Sequence, residues 1–253
     1  MAESQLARTS EGDPRRGEMY LRLAIAQEDA GDNEGAIRTY ARLVQEAPDF
    51  GRMDEVLYRL GRALGALRQH DRARQVYHRL IRGYPESRFL PFAWLSFADY
   101  YYEEGDPSAA RQFYTKILEL PPERNAAYGW ALYRSAWCMV QLEDFRGALS
   151  QFVRVVELDE SHHTLPLMSE LVDRALSDSV RAYAHVGRGA QALAFYRRYA
   201  PEEAEAIVRL VADELRRVRS ADEAAAAMAS LVESAPDRCA DVRLWRALRA
   251  CEH

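Results

Sequence analysis

The chain has 253 residues, of which 48% are hydrophobic and 29% are charged, and this composition excludes a mostly disordered protein. No run of residues approaches the roughly 18 apolar side chains of a membrane helix, so we expect no membrane-spanning segment. The net charge of -5 argues against nucleic acid as a partner, because binding to phosphates needs a basic surface.

The first 16 residues contain neither the positively charged head nor the apolar centre of a secretory signal. We expect a disordered tail at residues 1–16. Two locations are compatible with this start: the cytoplasm, or, if an export signal has been removed, the periplasm or the outer membrane. A lipid anchor is expected only in the second case.

From residue 17 to residue 236 one pattern recurs six times, and it predicts six helical hairpins. An alanine stands in the second helix of each hairpin, at intervals of 37, 37, 38, 44 and 32 residues: Ala36, Ala73, Ala110, Ala148, Ala192 and Ala224. Twelve residues earlier, five hairpins have another small residue, which lets the two helices approach closely: Ala24, Gly61, Ala98, Ala136 and Ala212. Four residues after the alanine comes a large side chain that we expect to pack on the next hairpin: Tyr40, Tyr77, Tyr114, Phe152, Tyr196 and Met228. The sequence therefore predicts an all-α protein, an α-solenoid of about six hairpins.

The predicted turns carry residues that end and begin helices. We expect the first helix of three hairpins to end at a glycine in the left-handed conformation: Gly31, Gly105 and Gly187. An aspartate is expected to cap the second helix of four hairpins: Asp32, Asp71, Asp106 and Asp144. Pro107 stands at the first position of the second helix in the third hairpin. In the sixth hairpin, Ser220 and Glu223 have the spacing of a capping box.

These signals divide the chain into repeats at about residues 17–50, 54–87, 91–124, 129–162, 173–204 and 205–237. Residues 239–251 are expected to form a capping helix or the beginning of a seventh repeat, because the last hairpin of such an array needs a cover.

The pattern resembles the tetratricopeptide repeat (TPR), in which Trp, Leu, Gly, Tyr, Ala, Phe or Tyr, Ala and Pro stand at fixed offsets. The third repeat carries it best: Trp94, Phe97, Ala98, Tyr101, Gly105, Ala110, Tyr114 and Pro122. This resemblance spans about residues 17–236 and implies a scaffold that binds other proteins.

The long spacers resemble those of bacterial envelope TPR proteins, among them the lipoprotein of the outer-membrane barrel-assembly machine and the periplasmic coordinator of the Tol system. Residues 92–196 resemble more closely the TPR proteins of myxobacterial gliding motility, above all at residues 131–138, which read ALYRSAWC.

Helical periodicity predicts which residues of each first helix line the groove of such an array. The candidate partner-binding residues are Phe92, Leu95, Asp99, Tyr102, Trp130, Tyr133, Trp137, Arg174, Arg181 and His185. If exposed, the aromatic side chains belong to the class that dominates binding energy at interfaces. The alternative for Trp130 and Trp137 is burial against the preceding hairpin. The first repeat offers Glu18, Glu28 and Asp29, which predicts an acidic end of the groove opposite a basic end in the fifth repeat.

The sequence contains no strand pattern and no phosphate-binding glycine loop, so we expect neither an enzyme nor a cofactor. Asp159, Glu160, His162 and His163 cluster in the longest spacer, where a polar connector is favoured over a metal site. Two functions remain. One is a non-enzymatic scaffold or adaptor in a bacterial envelope complex such as gliding-motility machinery, which binds a protein or peptide partner. The alternative is a cytoplasmic TPR adaptor or regulator that binds peptides.

Overall fold

The structure, a computed structural model, describes residue 13 and residues 15–161 and 168–234. Within these ranges the regular elements are helices, and no strand occurs. The α-helices are α1 (Arg15–Asp29), α2 (Asn33–Glu46), α3 (Met53–Ala66), α4 (His70–Gly83), α5 (Leu90–Glu103), α6 (Pro107–Leu118), α7 (Tyr128–Gln141), α8 (Phe145–Ser161), α9 (Met168–Val186), α10 (Ala192–Tyr199), α11 (Ala204–Val218) and α12 (Ala221–Ser234). Two short 3-10 turns lie at Pro122–Arg124 and Gly189–Gln191.

The helices form two compact units, residues 1–100 and 101–253, and the division falls within α5. In the first unit α1 packs on α2, α2 on α3, and α3 on α4. In the second unit α6 packs on α7, α7 on α8, and α8 on α9. The first helices of successive hairpins also touch each other, α7 with α9 and α9 with α11. The fold is all-α and consists of TPR-like helical hairpins, as the sequence predicts. The boundaries of the six repeats stay a prediction.

The small and large residues of the repeated pattern lie in the core. All six marker alanines are buried, and so are the six large side chains four residues after them. In the second hairpin the small residue Gly61 faces the ring of Tyr77, and a Cβ atom at position 61 would lie 2.5 Å from that ring. The close approach of α3 and α4 therefore depends on the absence of a side chain at Gly61.

The helix ends agree with the sequence at most positions. Gly31 and Gly105 have φ values of 79° and 78°, as expected. Gly187 does not adopt a left-handed conformation. Its N–H donates to the Tyr183 carbonyl at 2.6 Å and extends the helical pattern, and a Cβ atom here would lie 2.4 Å from the Tyr183 ring. Gly187 is therefore explained by this ring rather than by a left-handed turn.

The aspartate caps are present at three of the four predicted positions. The carboxylates of Asp32, Asp106 and Asp144 accept hydrogen bonds from backbone N–H groups three residues later, at 2.8, 2.9 and 2.9 Å. The prediction is wrong for Asp71, because α4 begins at His70, and its N-cap position is Gln69 rather than Asp71. Asp71 lies inside the first turn and pairs with Arg74 instead.

Other predictions meet the limits of the described residues. The last two residues of the expected tail, Arg15 and Arg16, belong to α1, where the Arg15 N–H donates to the Asp13 carboxylate at 2.8 Å; most of residues 1–14 lie outside the described part of the chain. The expected capping helix at residues 239–251 and the polar cluster around His162 and His163 lie outside the part of the chain that the structure describes. None of the helices that it does describe is long and apolar enough to cross a membrane.

Candidate functional site

The aromatic residues predicted for the groove form a continuous row along α7. Trp130, Tyr133 and Trp137 are all half-buried. The Trp130 and Tyr133 rings lie 5.7 Å apart, and the Tyr133 and Trp137 rings pack edge-on against buried Phe152 of α8 at 6.0 and 6.1 Å. The three side chains therefore rest on the core with one side and present the rest of their surface to the exterior.

Asp178 of α9 fixes two of these aromatic side chains. One oxygen of its carboxylate, Oδ2, accepts a hydrogen bond from the Tyr133 hydroxyl at 2.6 Å and another from Trp137 Nε1 at 3.1 Å. Burial, together with this hydrogen bond to Asp178, raises the pKa of the Tyr133 hydroxyl above its usual range. Tyr133 therefore remains a neutral donor, and the rings of α7 are held in one orientation by a carboxylate of the next first helix.

Arg134 of α7 lies against the rings of Trp130, in its own helix, and Tyr102 of α5. Its guanidinium carbon is 4.8 Å from the centre of the Trp130 ring and 5.1 Å from that of Tyr102. Both distances are within the range of cation–π attraction. The Nε atom of Arg134 is buried and has no hydrogen-bond acceptor among the described residues.

The basic residues predicted in α9 are exposed, but they differ in their surroundings. Arg174 pairs with Glu170 of its own helix at 2.5 Å. The His185 ring stacks on Phe145 with the ring centres 3.6 Å apart. The Arg217 hydrogen bond lowers the pKa of Glu214, and the charges of Arg181 and His185 lower it further.

The remaining candidates, Phe92, Leu95 and Asp99, are half-buried residues of α5 in the first unit. The Phe92 ring lies 5.3 Å from Tyr58, which also stacks on Phe89 at 4.7 Å. Phe92 therefore belongs to an aromatic cluster of its own.

Two of the three acidic side chains predicted at one end of the groove pair with arginines, and the third, Asp29, is exposed. The side chain of Glu28 is only 7% exposed and accepts hydrogen bonds from the Tyr40 hydroxyl at 2.6 Å, from Arg59 at 3.3 Å and from Arg62 at 3.2 Å. Glu18 pairs with two further arginines. The prediction of unpaired acidic side chains is wrong for Glu18 and Glu28, because arginines of α1 and α3, together with Arg52 just before α3, neutralise their carboxylates.

Comparison with known proteins identifies the repeats. Residues 18–49 and 55–87 match one tetratricopeptide repeat model of a protein family, and residues 93–124 match another. Residues 18–124 therefore contain three tetratricopeptide repeats. A solved tetratricopeptide repeat protein from Parabacteroides merdae is similar in fold, with a TM-score of 0.51 and 17% sequence identity over 86% of this chain and 78% of that chain. The search of the curated proteins gives no match.

The two site residues that the sequence prediction missed stand at the same position within their repeats. Arg134 and Asp178 both stand fourteen residues before the marker alanine of their hairpin. The same position in the second repeat is occupied by Arg59, which bonds Glu28 of the preceding first helix. The position therefore faces the neighbouring first helix in all three cases. A polar residue recurring at this offset was the signal that could have found Asp178 and Arg134.

Proposed function

We propose that the chain is a non-enzymatic scaffold or adaptor that binds a segment of a partner protein on the face formed by α7 and α9. TPR repeats in general suggest a protein-interaction role, and no catalytic family matches this chain. The observation that supports this particular face is the convergence of Tyr133 and Trp137 on Asp178. We call Trp130, Tyr133, Trp137, Arg134 and Asp178 the aromatic face.

The aromatic face has the physical features of a binding anchor. Tyr and Trp present a large apolar area and a polar group, and they lose little conformational entropy on binding when they are already fixed. Here Phe152 supports the Tyr133 and Trp137 rings from below, and Asp178 holds their polar atoms. A partner side chain would thus meet rings that need no rearrangement.

The proposal is tested with peptides selected on the full chain from a displayed random library. We expect the substitution Trp130→Ala combined with Tyr133→Ala to weaken the selected peptides by about 2–4 kcal/mol, as truncated interface anchors do. Fluorescence anisotropy measures the affinity, and circular dichroism checks that the helical content is kept. Gln112→Ala is the control, because Gln112 is an exposed residue of α6 and not part of the face formed by α7 and α9, and its loss should change binding by less than about 0.5 kcal/mol.

Two outcomes would contradict the proposal. Unchanged affinity in the double variant would mean that peptides bind elsewhere. Loss of helical content would mean that Trp130 and Tyr133 belong to the core, which is the alternative that the sequence left open.

We further propose, from the resemblance of residues 92–196 alone, that the partner belongs to a bacterial envelope complex such as gliding-motility machinery. The alternative is a cytoplasmic adaptor that binds peptides. Cross-linking in native cells followed by mass spectrometry distinguishes the two. Cross-links to envelope proteins support the first proposal, and cross-links confined to cytoplasmic proteins contradict it.

A further inference from the structure

Two arginines occupy equivalent positions in the second and fourth repeats. Arg59 of α3 and Arg134 of α7 each stand fourteen residues before the marker alanine. Each guanidinium meets two side chains at equivalent places: one four residues earlier in its own helix, and one near the end of the preceding first helix. The surroundings of the two arginines can therefore be compared residue by residue.

Arg59 is neutralised by carboxylates at both places. Its Nε donates to Glu55 at 2.9 Å, four residues earlier, and its Nη1 donates to Glu28 of α1 at 3.3 Å. The Glu55 and Glu28 side chains are each only 7% exposed. This arrangement leaves little of the Arg59 charge for another molecule.

At Arg134 aromatic rings stand in place of both carboxylates. Trp130 replaces the glutamate four residues earlier, and Tyr102 replaces the glutamate of the preceding first helix. Both rings lie over the guanidinium, at 4.8 and 5.1 Å. Arg134 forms no ion pair with any residue in the described ranges, and its buried Nε finds no acceptor there. Stacked rings leave the edge of a guanidinium, where its N–H groups point, without a partner.

We propose that Arg134 receives a carboxylate of the partner, so that the aromatic face selects acidic segments. This inference rests on the proposed function and specifies the chemistry of its partner. An arginine pairs with a carboxylate through strong, charge-assisted hydrogen bonds, and the flanking rings orient it for this contact. Asp178, the acidic residue of the aromatic face, already accepts two hydrogen bonds from Tyr133 and Trp137.

The charge of the whole chain restricts where an acidic segment can bind. The chain carries a net charge of -5, which opposes an acidic segment overall, so attraction has to come from an arginine that is not neutralised, such as Arg134. A neutral apolar segment would bury Arg134 without an acceptor, which is costly for a charged group. An acidic side chain beside an apolar or aromatic one therefore fits this face best.

The test compares peptides selected from a random displayed library on the full wild-type chain and on single variants. We expect the wild-type chain to select peptides enriched in Asp and Glu. Arg134→Gln should abolish that enrichment and weaken the best acidic peptide about tenfold or more, as loss of a charge pair does. Arg38→Gln is the matched control, because it removes the same charge from an exposed position of α2 and should leave the selection unchanged.

A second pair of variants tests the same idea without removing the arginine. Tyr102→Glu restores the carboxylate that Glu28 supplies in the second repeat, so it should neutralise Arg134 and also weaken the acidic peptide about tenfold. Tyr102→Gln removes the same ring without adding a charge, and it should keep the acidic preference. Replacing the glutamate of the peptide by glutamine should weaken binding to the wild-type chain and have no effect on Arg134→Gln.

The outcomes separate the two proposals. Peptides that depend on Trp130 and Tyr133 but show no acidic preference, or one that survives Arg134→Gln, would overturn this inference and leave the proposed function standing. If no selected peptide depends on Trp130 and Tyr133, the proposed function fails and the inference fails with it. Selection of segments from the chain's own sequence would point to self-association and would also overturn the inference.

Discussion

Replacing Asp178 tests how the aromatic face is held together. In the wild-type chain the Tyr133 hydroxyl and Trp137 Nε1 donate to Asp178 Oδ2 at 2.6 and 3.1 Å. Asp178→Ala removes this acceptor from both groups. Hydrogen bonds to charged groups contribute about 1.5–3 kcal/mol each, and water can reach these half-buried donors, so the low end applies. We expect the free energy of unfolding to fall by about 2–3 kcal/mol. Asp178→Asn keeps one acceptor oxygen and should cost about 1 kcal/mol.

Urea unfolding followed by circular dichroism measures these differences, and tryptophan fluorescence reports on the surroundings of Trp137. A double-mutant cycle with Tyr133→Phe isolates the contact, and we expect a coupling energy of about 1 kcal/mol. If Asp178→Ala unfolds at the wild-type urea concentration and the coupling energy is zero, Asp178 does not hold these rings, and the argument for a preformed face is refuted.

Three further predictions concern stability. Gly61→Ala should lower the free energy of unfolding by about 1–3 kcal/mol, because the added Cβ atom meets the Tyr77 ring. Gly65→Ala lies one turn later in α3, where no heavy atom is close to the added Cβ, and it should be neutral or stabilising by up to about 1 kcal/mol. Similar urea midpoints for both variants would show that close packing at Gly61 is not needed. Burial opposes ionisation of Glu55, but two arginine hydrogen bonds outweigh it and lower the pKa of Glu55. The stabilising effect of the ionised Glu55 is therefore present above the unfolded-state pKa of about 4.3 and lost as the pH falls through the folded-state pKa. Glu55→Gln should lower the free energy of unfolding by about 2–3 kcal/mol near pH 7 and flatten the dependence of stability on acid pH, and an unchanged acid profile would refute this. Burial, aided by the Glu223 charge, raises the pKa of Tyr183 to about 12. The neutral Tyr183 hydroxyl therefore stabilises the fold below about pH 10, and this stabilisation is lost as the pH rises towards 12. Tyr183→Phe should reduce the loss of stability at alkaline pH, and an alkaline profile identical to that of the wild-type chain would count against this.

The fold followed from the sequence because its signals are local. The spacing between small residues, such as Ala24 and Ala36, reports a close crossing of two helices within one hairpin, and both residues are fully buried. Gly31 reports a left-handed turn that few other residues adopt. Arg68 and Glu143 adopt the same left-handed conformation in the second and fourth repeats, with φ values of 57° and 60°, but at these positions the sequence has no glycine to indicate it.

The contacts of the site depend on the packing of successive hairpins, and one repeat alone does not encode them. Helical periodicity placed Tyr133 and Trp137 on one face of α7, but it did not indicate that Asp178 of α9 bridges them. For the same reason Glu28 was expected to be a groove acid, although Arg59 of the next first helix neutralises it. The rise and rotation between successive first helices decide such pairs, and a sequence pattern within one hairpin contains neither.

The central claim is that a partner segment binds on the aromatic face, and the indole N–H signals of an amide nuclear magnetic resonance spectrum test it most directly. A selected peptide is titrated into the labelled full chain. We predict that the indole signals of Trp130 and Trp137 move with the titration while that of Trp94, which packs on the core of the first unit, stays in place. Binding that moves the Trp94 signal and leaves those of Trp130 and Trp137 unchanged would contradict the account.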